Sequence, residues 1–187
     1  MIKAVIDIGT NSCRLLVADQ QGEKIKTIHR QLITTRIGQG LGKGAGQLSQ
    51  AAMERTLTAL QQFHDAIQGY SPVSVHLLGT QALRQATNSD YFQEQVQRRL
   101  GWQLKIISGD REAYLSCRGA LSAMPDLKQA AVLDIGGGST EIMLAIGGEV
   151  AGASTPIGCL RLLEAPMCDA EIKKALLKGW SDIRIHA

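Results

Sequence analysis

Aromatic residues are scarce in this chain: Trp 2, Tyr 3 and Phe 2 among 187 residues. A platform that stacks successive bases needs several exposed rings, so nucleic acid is not the expected partner. A dominant charge is also missing. The formal net charge is +3, from 20 Lys and Arg against 17 Asp and Glu, which favours an anionic ligand only weakly and gives no basic tail. No apolar run approaches the roughly 20 residues of a membrane span. No charged segment followed by a long apolar core opens the chain, so neither a leader nor a membrane partner is expected. Cys13, Cys117, Cys159 and Cys168 show no C-x-x-C spacing. Without a leader they read as reduced thiols of a cytoplasmic protein rather than a zinc site or a disulfide frame.

What the sequence does have is a long internal repeat. Residues 4–18 read AVIDIGTNSCRLLVA and residues 131–145 read AVLDIGGGSTEIMLA, with seven of fifteen positions identical at an offset of 127. Asp7 aligns with Asp134, Gly9 with Gly136 and Ser12 with Ser139. Each copy is an apolar run, an aspartate, a glycine-rich turn and a second apolar run, which predicts a buried strand, a tight turn and a returning strand. Two such hairpins predict two related lobes facing one cleft. Glycine lets backbone amides converge on phosphate oxygens. The candidate phosphate loops are therefore Gly9, Thr10, Asn11 and Ser12, and Gly136, Gly137, Gly138 and Ser139. An aspartate repels phosphate directly, so Asp7 and Asp134 are candidates for holding a divalent cation or a bridging water. An ordinary hairpin turn uses the same residue types; the in-register repeat favours the phosphate reading.

The 44% hydrophobic content is enough for one or two cores. The first lobe, taken as residues 1–125, reads as strands over 3–8 and 13–18, a turn at Gln21, Gly22 and Glu23, and a third strand over 24–36. The glycine-rich stretch from Gly38 to Gly46 fails the P-loop pattern, because Lys43 is followed by Gly44. Ser49 is placed as an N-cap before Met53, Leu57, Leu60, Phe63 and Ile67 at helical spacing. Gly69 and Pro72 end that helix. A strand over 73–79, a helix over 90–100, a strand over 104–107 and a helix opening at SGDREA follow. Pro125 marks the crossing into a second lobe, residues 126–187, with three strands and a helix near 171–177. A full repeat of the first lobe would need a further strand–helix section, so the second lobe reads as incomplete. Its Lys- and Leu-rich last helix would expose an apolar face, leaving a homodimer open.

Charged residues beyond the strand ends complete the candidate site. Arg84 follows the strand ending at Gly79 and can fork onto phosphate oxygens. Glu112, in the first turn of a helix, can position or deprotonate a water, or merely balance the helix dipole. Asp110 is the better N-cap candidate there. Glu141, just after the second glycine turn, is either a second cation ligand or a solvent-facing carboxylate.

The ordered segments DIGTNSCRLL, GTQALRQA, ISGDREA, DIGGGSTE and IGCLRLLE resemble the Ppx/GppA family of exopolyphosphatases and guanosine pentaphosphate phosphohydrolases. The resemblance implies an α/β, ribonuclease H-like (actin-like ATPase) fold, with one complete lobe and part of a second. It implies hydrolysis of a terminal phosphoanhydride in polyphosphate or in guanosine penta- or tetraphosphate, with Mg²⁺. Glu112 would be the general base, Arg84 the substrate-contacting arginine, and Asp7, Asp134 and Glu141 the metal-side carboxylates. Arg111 and Tyr114 stand where the family commonly has an acid and an arginine, and a family segment of GGT type is not found before Ala187. Two other readings stay open: a non-catalytic lobe that binds polyphosphate or alarmone, and an ATP-dependent kinase of the same superfamily.

Overall fold

A computed structural model describes the chain except for residues 23, 43–45, 71, 72, 125, 128, 182 and 184–187. The expectations at Glu23, at Lys43 and Gly44, at Pro72 and at Pro125 fall outside the described residues. The chain forms two compact units, Met1–Ile106 and Ile107–Ala187.

In the first unit, β1 (Ile2–Ile8), β2 (Ser12–Gln21) and β3 (Lys24–Thr34) form an antiparallel meander, and β4 (Val73–Gly79) and β5 (Leu104–Ile106) extend it in parallel. The sheet order is β3-β2-β1-β4-β5. Connection length dictates this mixture: tight turns join antiparallel strands, whereas parallel neighbours need a crossover. Gly22, at φ 62°, supplies the left-handed residue of the β2–β3 turn. The crossovers are α1 (Gln50–Ile67) between β3 and β4, then α2 (Gln81–Gln85) and α3 (Ser89–Leu100) between β4 and β5. This arrangement is the ribonuclease H-like order of the actin-like fold.

Ser49 caps α1, its hydroxyl accepting the Ala52 amide at 3.3 Å. Leu57, Leu60, Phe63 and Ile67 pack with Ile6, Leu15 and Val17 of the sheet, and Phe92 and Val96 of α3 join the same cluster. Each fully buried side chain of this size contributes roughly 1.5–3 kcal/mol. The core therefore fixes β1 and β4 as neighbouring central strands, and with them the loops at their C-terminal ends.

In the second unit, β6 (Gln129–Ile135), β7 (Thr140–Ile146) and β8 (Glu149–Thr155) repeat the meander. Gly147 and Gly148, at φ 61° and 89°, make the β7–β8 turn, as two successive positive-φ residues in a two-residue hairpin require. Helix α4 (Gly109–Ser122) precedes the sheet, and α5 (Cys159–Glu164) and α6 (Asp169–Trp180) follow it. Ala113 and Cys117 of α4 pack on Met143 and Ala145, with Leu121, Val132 and Val150 around them.

That packing moves the division of the chain. Helix α4 belongs with the second sheet, so the compact units part after Ile106 rather than at residue 125. Two further expectations change. The N-cap of α4 is Ser108, whose hydroxyl accepts the Arg111 amide at 3.2 Å, and not Asp110. The β6 run is not buried on both faces: Leu133 is 55% and Ile135 60% exposed, because α4 covers only the opposite face. Among the described residues no helix is long and apolar enough to cross a membrane.

Candidate functional site

The first loop forms where β1 runs out. The Gly9 amide donates to the Ser12 carbonyl at 3.0 Å and closes a tight turn over residues 9–12. A side chain at position 9 would bring its Cβ to 3.1 Å from that carbonyl oxygen, so glycine fits there best. Thr10 is buried and Asn11 exposed. Asp7 lies near the end of β1, paired with Arg14 on β2 and Leu78 on β4.

Parallel β4 ends opposite the same point. Beyond it, the amide and hydroxyl of Thr80 both donate to the Ile8 carbonyl, at 3.2 and 3.3 Å. This pair of hydrogen bonds ties the start of α2 to the start of the loop. Arg84 stands one turn along α2; its amide donates to the Thr80 carbonyl at 3.0 Å and its guanidinium to Gln81 Oε1 at 2.7 Å. Asp7, loop 1 and Arg84 thus share the C-terminal edge of the first sheet, where open α/β sheets bind ligands. Cys13, just after the loop, is inert: burial pushes its thiol up to about 12, with the Thr35 hydroxyl opposing and the Asp7 charge adding to the shift.

The second loop repeats the turn. The Gly136 amide donates to the Ser139 carbonyl at 2.9 Å. Ser139 and Thr140 are buried, and the Thr140 hydroxyl donates to the Ile157 carbonyl at 2.6 Å. Asp134, Glu141 and Ser154 lie directly opposite one another across β6, β7 and β8. Their side chains therefore project from one face of the sheet. Glu141 does not point to solvent. It is 2% exposed, and the Ser154 hydroxyl donates to its Oε1 at 2.7 Å. Asp134 is exposed, and Ser116 of α4 donates to its Oδ2 at 2.9 Å. Glu112 sits four residues before Ser116, hence on the same face of α4.

The predicted site residues consequently fall into two groups. Asp7, Gly9 to Ser12 and Arg84 belong to the first unit; Glu112, Asp134, Gly136 to Ser139 and Glu141 belong to the second. Glu112 belongs to the second unit rather than the first lobe, because its helix packs on the second sheet. Nothing in the sequence singles out Ser116 or Ser154. Each is an isolated serine, and only the cross-strand register and the seating of α4 reveal which carboxylate it holds.

Among the described residues no three His, Cys, Asp or Glu side chains cluster as a metal cage. The Asp134–Glu141 pair still fits magnesium, which keeps several waters and takes only one or two carboxylates from a protein.

Residues 16–182 match the Ppx/GppA phosphatase family. The chain is 38% identical over 172 residues to Exopolyphosphatase 2 of Mycobacterium tuberculosis, covering 86% of this chain and 53% of that protein. It is 38% identical over 173 residues to a bifunctional 3-dehydroquinate synthase/phosphatase of Fusobacterium nucleatum, covering 87% of this chain and 26% of that one. Among solved structures, an exopolyphosphatase from Cytophaga hutchinsonii superposes with a TM-score of 0.86 at 27% identity, over 95% of this chain and 61% of that one. The Aquifex aeolicus Ppx/GppA protein superposes with a TM-score of 0.74 at 29% identity, over 93% and 58% respectively. The chain thus spans about half the length of the mycobacterial relative. With a family match that runs from residue 16 to residue 182, most of its length, the chain belongs to the Ppx/GppA phosphatase family.

Proposed function

We propose that this chain binds a terminal phosphoanhydride of inorganic polyphosphate or of guanosine pentaphosphate and releases phosphate by attack of a water. The observation that carries this reading is the duplicated turn. Two aspartate-led loops close through the same amide-to-carbonyl bond, at 3.0 Å in one and 2.9 Å in the other. Relatives named as exopolyphosphatases support polyphosphate as the substrate class.

The residues divide the work. The amides of Asn11, Gly137 and Gly138 and the hydroxyls of Ser12 and Ser139 donate to non-bridging oxygens. Arg84 contributes a permanent charge to the phosphate chain, its guanidinium oriented by Gln81. Glu112 orients the attacking water in line with the terminal phosphorus and accepts its proton; no covalent nucleophile is needed. Asp134 and Glu141 would hold Mg²⁺, the first presented by Ser116 and the second by Ser154. That ion, when bound, screens the charge on the non-bridging oxygens. Asp7 fills the corresponding place at the first loop, holding a water or a second cation.

The test is phosphate release from long-chain polyphosphate and from guanosine pentaphosphate by this chain with Mg²⁺, beside Glu112→Gln. Loss of a general base lowers turnover by about 10²–10⁴-fold. The variant should fall by that factor and still bind tripolyphosphate as the wild type does. Near-normal turnover in Glu112→Gln would overturn the assignment of the base. Failure of the wild type to bind tripolyphosphate would overturn the functional reading itself.

A further inference from the structure

Each glycine loop is held from behind by a second short segment, and the two segments are alike. In the first unit the segment is Thr35-Arg36-Ile37-Gly38; in the second it is Thr155-Pro156-Ile157-Gly158. The threonine, isoleucine and glycine are buried in both copies. At loop 1 the Gly38 amide donates to the Thr10 carbonyl at 3.0 Å, and the amides of Thr35 and Arg36 donate to the Asn11 carbonyl at 3.1 and 2.9 Å. At loop 2 the Cys159 amide donates to the Gly136 carbonyl at 3.0 Å, and the Leu160 amide to the Gly137 carbonyl at 2.9 Å.

A trans peptide is planar, with its C=O and N–H pointing in opposite directions. Holding the Gly136 carbonyl therefore aims the Gly137 amide away from the segment. Holding the Gly137 carbonyl aims the Gly138 amide the same way. Among the described residues neither of these two amides donates to another backbone group. The first amides of α5 are consumed by the loop carbonyls, so that short helix is a clamp and not an anion site.

The approach is too close for any side chain. A Cβ at position 158 would lie 2.5 Å from the Gly137 carbonyl carbon, 2.5 Å from the Gly138 nitrogen and 2.6 Å from the Gly137 oxygen. A Cβ at position 38 would collide with Thr10 Cγ2 and stand 3.4 Å from the Thr10 carbonyl oxygen. The first segment also keeps Arg36 at φ 50°, the one non-glycine residue at positive φ among the described residues. A backbone held in that region is over-determined by its surroundings.

We propose that Gly158 and Gly38 are the positioning residues of the two phosphate loops, and that their clamps turn the loop amides toward the anion. This rests on the reading of both turns as phosphate loops. The test labels the chain with ¹⁵N and follows the amides of Asn11, Gly137 and Gly138 while inorganic tripolyphosphate is added with Mg²⁺. Four variants are compared with the wild type: Gly158→Ala, Gly38→Ala, Cys159→Pro and Cys159→Ala. Proline suits the first position of a helix, and the extended Gly158 (φ −150°, ψ 164°) suits the residue before it. Cys159→Pro therefore spares α5 while removing the N–H that holds Gly136.

Gly158→Ala and Cys159→Pro should weaken tripolyphosphate binding at least tenfold. At saturation they should abolish the shifts of Gly137 and Gly138 while the Asn11 amide of loop 1 still responds. Gly38→Ala should do the reverse. Cys159→Ala, which keeps the amide, should bind within about twofold of the wild type. If Gly158→Ala does not fold, Cys159→Pro carries the test, with α5 and α6 monitored by circular dichroism. Wild-type-like shifts of Gly137 and Gly138 in Cys159→Pro would overturn the clamp and leave the phosphate loops standing. An unresponsive wild type would overturn the loops and the clamp together.

Discussion

Two serine-to-carboxylate hydrogen bonds of the second unit have the same chemistry and different burial, and this sets up a measurable contrast. Ser154 donates to Glu141 at 2.7 Å, and Ser116 to Asp134 at 2.9 Å. Glu141 is 2% exposed, whereas Asp134 is open to solvent. Removing a donor from a buried charged acceptor costs about 1.5–3 kcal/mol, because water cannot replace it. Ser154→Ala should therefore destabilise the second unit by about 2 kcal/mol, roughly thirtyfold in its unfolding equilibrium. At Asp134 water takes the place of the lost hydroxyl, so Ser116→Ala should cost below about 0.5 kcal/mol. The chain's two tryptophans allow a unit-specific assay: Trp102 lies in the first unit and Trp180 in the second. With Trp102→Phe in every variant, urea unfolding followed by Trp180 fluorescence reads the second unit alone. A double-mutant cycle with Glu141→Ala should recover most of the Ser154 effect as coupling. Equal losses at the two serines, or a larger loss at Ser116, would refute the argument from burial.

The remaining predictions concern packing and pH. Burial raises the Cys13 thiol from 9.0 to about 12 in the folded chain. A raised folded value means that stability is fully present below pH 9 and is lost as pH rises toward 12. The loss should amount to roughly 2 kcal/mol between pH 9 and pH 11, measured as the difference between wild type and Cys13→Ala. Identical pH slopes for the two proteins would refute it. In α6, Gly179→Ala would ordinarily stabilise a helix by about 1 kcal/mol. Here the new Cβ would run into the hydroxyl of Thr155 and lie 3.3 Å from its Cβ, so the variant should instead lose about 1–3 kcal/mol in the same Trp180 assay. A stabilised Gly179→Ala would show that α6 does not approach Thr155 of β8 this closely.

Much of the fold was legible because the signals that define it are local. The repeat at 4–18 and 131–145 corresponds to β1–β2 and β6–β7, and the apolar spacing from Met53 to Ile67 corresponds to α1. Two short helices, α2 and α5, carry no such signal. With five and six residues they are too brief for a periodic stripe, and they exist because their ends bond to strands and loops. The seating of α4 was not legible either. Its apolar face, Ala113, Cys117 and Leu121, fits any sheet, and only Met143 and Ala145 decide which one it covers. Glu112 could be named from its motif, but its place in the second unit depends on that tertiary choice.

The clamp segments explain why one repeat was visible and the other was not. The strands β2 and β3 run 10 and 11 residues, whereas β7 and β8 run 7 each. The shorter hairpin brings Thr155 to Gly158 out of the offset that aligns the two loops, so the second repeat disappears from any comparison at a fixed spacing. The loops themselves have diverged: Thr10 and Asn11 in one copy are Gly137 and Gly138 in the other. On the proposed reading the loops act through backbone amides, whose direction follows from the carbonyl bonds, and such a divergence of side chains is tolerable. A clamp glycine has less freedom: behind Gly158 the loop backbone leaves no room for a Cβ, and behind Gly38 the Thr10 side chain takes that place. The same reasoning assigns different roles to glycines that look alike in sequence. Positions 137 and 138 correspond to Thr10 and Asn11 in the first loop, whereas both clamp segments end in glycine, Gly38 and Gly158.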